Sequence, residues 1–173
     1  MESEFDKKKL VIYEWVMLNW TVDVLVDNKF DKASKEYKAI LESCLMHIRN
    51  LIGFFYGTDA TKKDYKRYDT DILISDFKDK NGNPFTIDDM PQRIKDICTE
   101  ISYRLAHISE NRLINPGKNW TEEINVAFKN IQKNMEKLKN NSDFFPVEIA
   151  NSDKSLEGVS STESVGVFLG PGA

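Results

Sequence analysis

The sequence is short of the residues that reactive sites and loop-rich folds usually need. Its 173 residues include only two cysteines, two histidines, eight glycines and five prolines. So little glycine and proline excludes a collagen-like chain and disfavours a loop-rich β-sandwich. Cys44 and Cys98 fall on apolar positions of expected helices and lack the spacing of zinc ligands. We therefore expect two buried thiols rather than a disulfide or a metal site.

Long apolar runs and an excess of positive charge are also missing. The uncharged run in the first expected helix, Trp15–Val22, has eight residues, whereas roughly 20 are needed to span a bilayer. No secretory signal is recognisable, so we expect a cytoplasmic protein without a membrane segment. The net charge of −4 resides in residues 142–173, which hold five acidic side chains and one basic one. Residues 1–141 are balanced, which disfavours a globally basic nucleic-acid-binding protein but not a local basic patch.

Apolar periodicity predicts an all-α fold. The chain is 40% hydrophobic and 30% charged, enough for one folded domain. Apolar residues recur every three or four positions over about 6–27, 31–56, 88–112 and 119–139. This pattern predicts an antiparallel four-helix bundle over residues 1–141, with a long linker between the second and third helices. Residues 142–173 are acidic and rich in serine and glycine, and we expect a disordered tail there.

The expected helices carry recognisable start and stop signals. Asp31 is a suitable N-cap for the second helix, which should end before Gly57. Pro91 suits the first turn of the third helix. The linker should contain a short helix and a turn at Asn81-Gly82-Asn83-Pro84.

The first helix is apolar on more than one face, which predicts burial on two sides. The alternation of Val22, Val24 and Val26 leaves a strand open as an alternative for its C-terminal end. With Trp15 and Trp20 on this helix, we expect it to form the face of a homodimer.

One candidate site is Arg104 with His107. These residues are three apart and therefore share a face of the third helix. Histidine can move a proton near neutral pH, and arginine can stabilise the charge of a phosphodiester transition state. The pair thus fits metal-independent RNA cleavage, and a hydrogen-bonded rim of the bundle is the structural alternative.

A second polar cluster is His47, Arg49 and Asn50. We interpret it as a structural network, with Asp71 or Asp76 of the linker as the charged partners. Arg49 could also join Arg104 and His107 in a composite catalytic site, if the two helices are neighbours.

The linker offers a third candidate. Its basic part would contact an RNA backbone, with aromatic stacking, or form a solvated loop. These residues are Lys62, Lys63, Tyr65, Lys66 and Arg67. The acidic side chains of the linker match no metal-binding loop, and no cofactor motif is present, so we expect neither a metal nor a cofactor.

Together these features resemble the HEPN-type helical domains of bacterial and phage defence and toxin systems, over about residues 30–138. The shared pattern is Arg-Asn near the end of a helix, an aromatic run, an Asp-rich linker, and then Arg-x-x-His. The resemblance implies a helical bundle that commonly dimerises. Many HEPN domains are metal-independent endoribonucleases with an arginine–polar–three residues–histidine motif, and others are scaffolds that have lost it. Here Phe54 stands where the histidine would follow Arg49-Asn50, and only two residues separate Arg104 from His107.

Two functions follow. The first is a non-catalytic interaction or scaffold module of HEPN-like type, homodimeric and with a protein partner. The alternative is a metal-independent endoribonuclease or RNA-binding toxin or defence domain that uses the Arg/His site. The broken motif spacing favours the first, whereas the Arg–His chemistry favours the second.

Overall fold

The computed structural model describes residues 4–27, 30–57, 71–106, 118–141 and Phe144. These residues form four α-helices and one 3-10 turn, and they contain no β-strand beyond a single bridge between Lys78 and Pro84. The predicted all-α fold is therefore confirmed. The helices are α1 (Glu4–Val26), α2 (Lys35–Tyr56), α3 (Gln92–Ala106) and α4 (Thr121–Asn141), and the 3-10 turn is Ile74–Asp76.

Helix α2 is the centre of the bundle. It contacts α1, α3, α4 and the 3-10 turn. Because it has neighbours on several sides, apolar residues around much of its second half are buried. The buried residues of α2 are Cys44, Leu45, His47, Ile48, Leu51, Ile52, Phe54 and Phe55.

Local polar groups set the ends of α2. Ser34 is the N-cap, and its hydroxyl accepts a hydrogen bond from the backbone N–H of Tyr37 at 3.0 Å. The prediction that Asp31 caps the helix is wrong, because its carboxylate accepts from the N–H of Ala33 and so orders the turn before Ser34. Gly57 ends the helix as predicted, with a φ of 96° that favours glycine.

Helix α1 stays helical to Val26, so the strand alternative at its C-terminal end is excluded. Its inner face buries Val11, Leu18 and Val22. Thr21 is also fully buried, and its hydroxyl donates to the carbonyls of the preceding turn. Because this hydroxyl makes its hydrogen bonds within its own helix, burying it costs little free energy.

The described part of the linker covers the C-terminal end of α2. Phe77 is 2% exposed, and its ring lies 5.9 Å from that of Phe54. The Asn81–Pro84 turn is present, with Gly82 at a φ of 82° and Asp79 accepting backbone hydrogen bonds from Asn83 and Asn81. Those hydrogen bonds lower the pKa of Asp79.

The core extends beyond the last helix. Phe144 is 1% exposed, and its ring lies 4.8 Å from that of Phe77. The sequence pattern places Phe144 in the tail, yet it is part of the folded domain. The remaining tail residues lie outside the described part of the chain.

Candidate functional site

The first polar cluster joins α1 to α2 through Glu14. Its Oε2 lies 2.7 Å from Nδ1 of His47 and accepts a hydrogen bond from Nδ2 of Asn50 at 3.1 Å. Because an ionised carboxylate can only accept, Nδ1 of His47 carries the hydrogen in this arrangement. The ring of Tyr13 meets that of His47 edge-on at 6.2 Å. His47 and Asn50 therefore share one acidic partner, Glu14 of α1.

The two linker acids lie elsewhere among the described residues. Asp76 accepts a hydrogen bond from the backbone N–H of Leu73 at 3.0 Å and thereby closes the 3-10 turn. Asp71 is half-buried just before that turn. The local role of Asp76 is to stabilise the linker backbone.

Arg49 is half-buried on α2. It is two residues from His47, so the two side chains leave the helix on nearly opposite sides. Helix α2 ends beside residues 87–90, which precede α3, so α3 runs back toward the start of α2. Arg104 lies in the last turn of α3.

Arg104 contacts an acid and an aromatic ring. Its Nε lies 3.4 Å from Oε1 of Glu100, one turn earlier on α3. Its guanidinium carbon lies 5.4 Å from the ring centroid of Trp120, which is 6% exposed. The side chain of Arg104 is itself only 17% exposed. These contacts hold the guanidinium against the bundle and neutralise part of its charge.

Lys118 joins this cluster from the segment before α4. Its ammonium donates to Glu100 and lies 2.9 Å from Oε1 of Glu123. It also lies 4.5 Å from the Trp120 ring centroid. Trp120 is thus flanked by two cations, Arg104 and Lys118, which Glu100 balances together with Glu123.

The electrostatics of this cluster favour the charged forms. Burial opposes ionisation of both Lys118 and Glu123. For Lys118, hydrogen bonds with Glu100 and Glu123 and attraction to both acids outweigh burial, and for Glu123 the hydrogen bond with Lys118 and attraction to it do so. The pKa of Lys118 is consequently raised and that of Glu123 lowered. Lys118, Trp120 and Glu123 could not be predicted as members of this cluster, because no short-range pattern relates them to Glu100, 18 or more residues away.

Several predicted site residues lie outside the described part of the chain. His107 is one of them. The others are the basic linker residues Lys62, Lys63, Tyr65, Lys66 and Arg67. Of the predicted composite site, the structure therefore places Arg49 and Arg104, on different helices.

A groove of about 290 Å³ opens between α1, α2 and the start of α4. Apolar side chains form most of its wall, among them Leu25, Tyr37, Trp120 and Ile124. Arg49, His47 and Arg104 are not among its lining residues. Among the described residues, the groove therefore does not coincide with the predicted catalytic arginines, Arg49 and Arg104.

The outer face of α1 carries exposed apolar side chains. Leu10, Tyr13, Val16 and Trp20 are between 49% and 55% exposed. The described residues therefore bury α1 on one side and not on the two sides that were expected. Trp15 does not belong to the outer face, since its ring stacks on that of Phe128 of α4 at 5.7 Å.

No protein-family model, no curated protein and no solved structure matches this chain. Among the described residues, none of the helices is long and apolar enough to cross a membrane.

Proposed function

We propose that this protein is a non-catalytic helical interaction module, similar to the HEPN-like domains that serve as scaffolds. The observation that carries the proposal is the outer face of α1. Four apolar side chains of α1 are about half-exposed, although the helices beside them already share a buried apolar core. Exposed apolar surface of this kind marks protein-binding sites.

The polar clusters support the same proposal. Arg104 makes a salt bridge with Glu100 and packs on Trp120, so an RNA phosphate would have to displace these contacts. His47 is 8% exposed and bound to Glu14. Both arrangements are typical of polar networks that fix helices relative to each other.

A cytoplasmic location is part of the proposal. Cys44 and Cys98 are not joined in a disulfide. Thiols persist in a reducing compartment, which is the expectation for cytoplasmic proteins.

The alternative is the endoribonuclease, and one assay separates it from the proposal. Purified protein would be incubated with mixed RNA in EDTA, alongside Arg104→Ala, His107→Ala and the control Arg93→Ala. Arg93 is the matched control because it also lies on α3 and pairs with an acid, Glu122, but is 51% exposed. We expect no RNA cleavage by any of the four proteins. Cleavage by the parent and Arg93→Ala that is lost in the other two would overturn the proposal.

A second measurement tests the α1 face directly. Because Trp20 is about half-exposed on the outer face of α1, Trp20→Glu should leave the unfolding free energy of the monomer nearly unchanged. The expected change is within about 0.5 kcal/mol, measured by urea unfolding at about 1 µM protein. A loss of several kcal/mol would show that this face serves the fold rather than an interaction.

A further inference from the structure

We propose that the occupant of the α1 outer face is the same face of a second copy, with the two α1 helices antiparallel. This inference rests on the proposed function and names its partner. Two observations carry it: the spacing of the residues that point outward, and the distribution of charge along them.

The outward residues follow the spacing of a coiled-coil seam. Lys9, Tyr13, Val16, Trp20 and Asp23 are all exposed, and they succeed one another at steps of 4, 3, 4 and 3. Steps of 3 and 4 keep side chains on one stripe along a helix, which is the arrangement that lets two helices pack along their length. The centre of this stripe is apolar, and a charged residue stands at each end.

The two end charges are opposite and equidistant from the centre. Lys9 lies seven residues before Val16, and Asp23 lies seven residues after it. Seven residues correspond to about 10 Å along the helix axis. A two-fold axis at Val16, perpendicular to α1, therefore sets Lys9 of each copy opposite Asp23 of the other.

The same axis matches the aromatic residues. Tyr13 lies three residues before Val16 and Trp20 lies four residues after it, so Tyr13 of each copy would face Trp20 of the other across the axis. Offset aromatic pairs and a surrounding polar rim are features of stable interfaces. A parallel arrangement would instead bring lysine onto lysine and aspartate onto aspartate, which is repulsive. The stripe is thus complementary to itself in one direction only, as a two-fold interface requires.

The first test measures the mass in solution by sedimentation velocity, from about 1 to about 200 µM, which spans the affinity expected of a small interface. The parent should dimerise within this range. Tyr13→Glu should weaken dimerisation at least tenfold, since the substitution occurs twice in each dimer. The matched control is Tyr103→Glu, because Tyr103 is also 55% exposed but lies on α3, and its effect should stay within about twofold.

The second test determines the direction of the helices by reversing charges. Lys9→Glu and Asp23→Lys should each weaken the dimer about tenfold, because each creates two like-charged pairs across the axis. The double variant Lys9→Glu/Asp23→Lys should restore the parent affinity to within about threefold. In a parallel dimer the single substitutions would leave the like-charged pairs in place, and no rescue would occur.

The outcomes separate this inference from the proposed function. A parent that stays monomeric at the highest concentration, or a dimer insensitive to Tyr13→Glu, overturns the second-copy assignment. The interaction-module proposal would then survive with a different partner. RNA cleavage that depends on Arg104 overturns the proposed function, whatever the oligomeric state.

Discussion

The carboxylate of Glu14 lies 2.7 Å from Nδ1 of His47 and thereby links α1 to the central helix of the bundle. His47 is 8% exposed, so few water molecules can replace this partner. The side chain of Glu14 is 25% exposed and also accepts from Asn50. One acid on α1 therefore satisfies two polar groups of α2, beside the exposed outer face.

We expect Glu14→Ala to lower the free energy of unfolding by about 2 kcal/mol, because it leaves the buried imidazole without its partner. Urea unfolding followed by circular dichroism would measure the loss. The matched control is Glu136→Ala, since Glu136 is an exposed helical acid that accepts a hydrogen bond from Gln132, one turn away. The control should cost less than about 0.5 kcal/mol. Equal losses in the two variants would show that the Glu14–His47 contact adds nothing to stability.

Phe144→Ala should lower stability by about 3 kcal/mol, because it removes a ring that is 1% exposed and packs on Phe77 and Phe54. Phe30→Ala serves as the control, since Phe30 is 38% exposed. Its cost should be under about 1 kcal/mol. If Phe144→Ala proved as mild as the control, the core would not extend past α4.

Stability should fall at both pH extremes through the Glu123–Lys118 pair. The pKa of Glu123 is lowered from its ordinary 4.5, so its contribution is complete above that value and is lost as the pH falls through the lower folded pKa. The pKa of Lys118 is raised from its ordinary 10.5, so its contribution is complete below that value and is lost as the pH rises through the higher folded pKa.

This pH dependence can be checked by thermal unfolding across the pH range. Glu123→Gln should reduce the loss of thermal stability at acidic pH, whereas Glu122→Gln should not, because the Glu122 side chain is 77% exposed. If the parent and both variants lost thermal stability identically at acidic pH, the contribution assigned to Glu123 would be contradicted.

Cys44 should be inert in the folded protein. Burial raises the pKa of its thiol to about 11, although a hydrogen bond with Thr21 opposes the rise. At pH 8 a thiol reagent should therefore modify the half-buried Cys98 first and reach Cys44 only after unfolding. Cys98→Ser should abolish labelling of the native protein, and Cys44→Ser should preserve it. Equal labelling rates for the two thiols in the parent would be incompatible with the burial of Cys44.

Much of the fold follows from short-range patterns. The apolar stripe of Ile124, Ile131 and Met135 predicts α4 because residues three and four apart share a helix face. Gly57 ends α2 for an equally local reason, its freedom to adopt a positive φ. The predicted position of the N-cap was wrong by three residues, because Asp31 and Ser34 are both suitable capping residues and the local sequence does not distinguish them.

The partners of the polar side chains were decided by the tertiary structure. Glu14 and His47 are 33 residues apart, and Glu100 and Lys118 are 18 apart, so no helical spacing relates them. The same is true of the two tryptophans of α1. The sequence predicts a helix that is apolar on more than one face, and Trp15 and Trp20 are equivalent in that pattern. Only the packing of α1 against the bundle, in which Trp15 stacks on Phe128, made Trp15 partly buried and left Trp20 exposed, because a helix can turn just one of its apolar faces toward a single bundle.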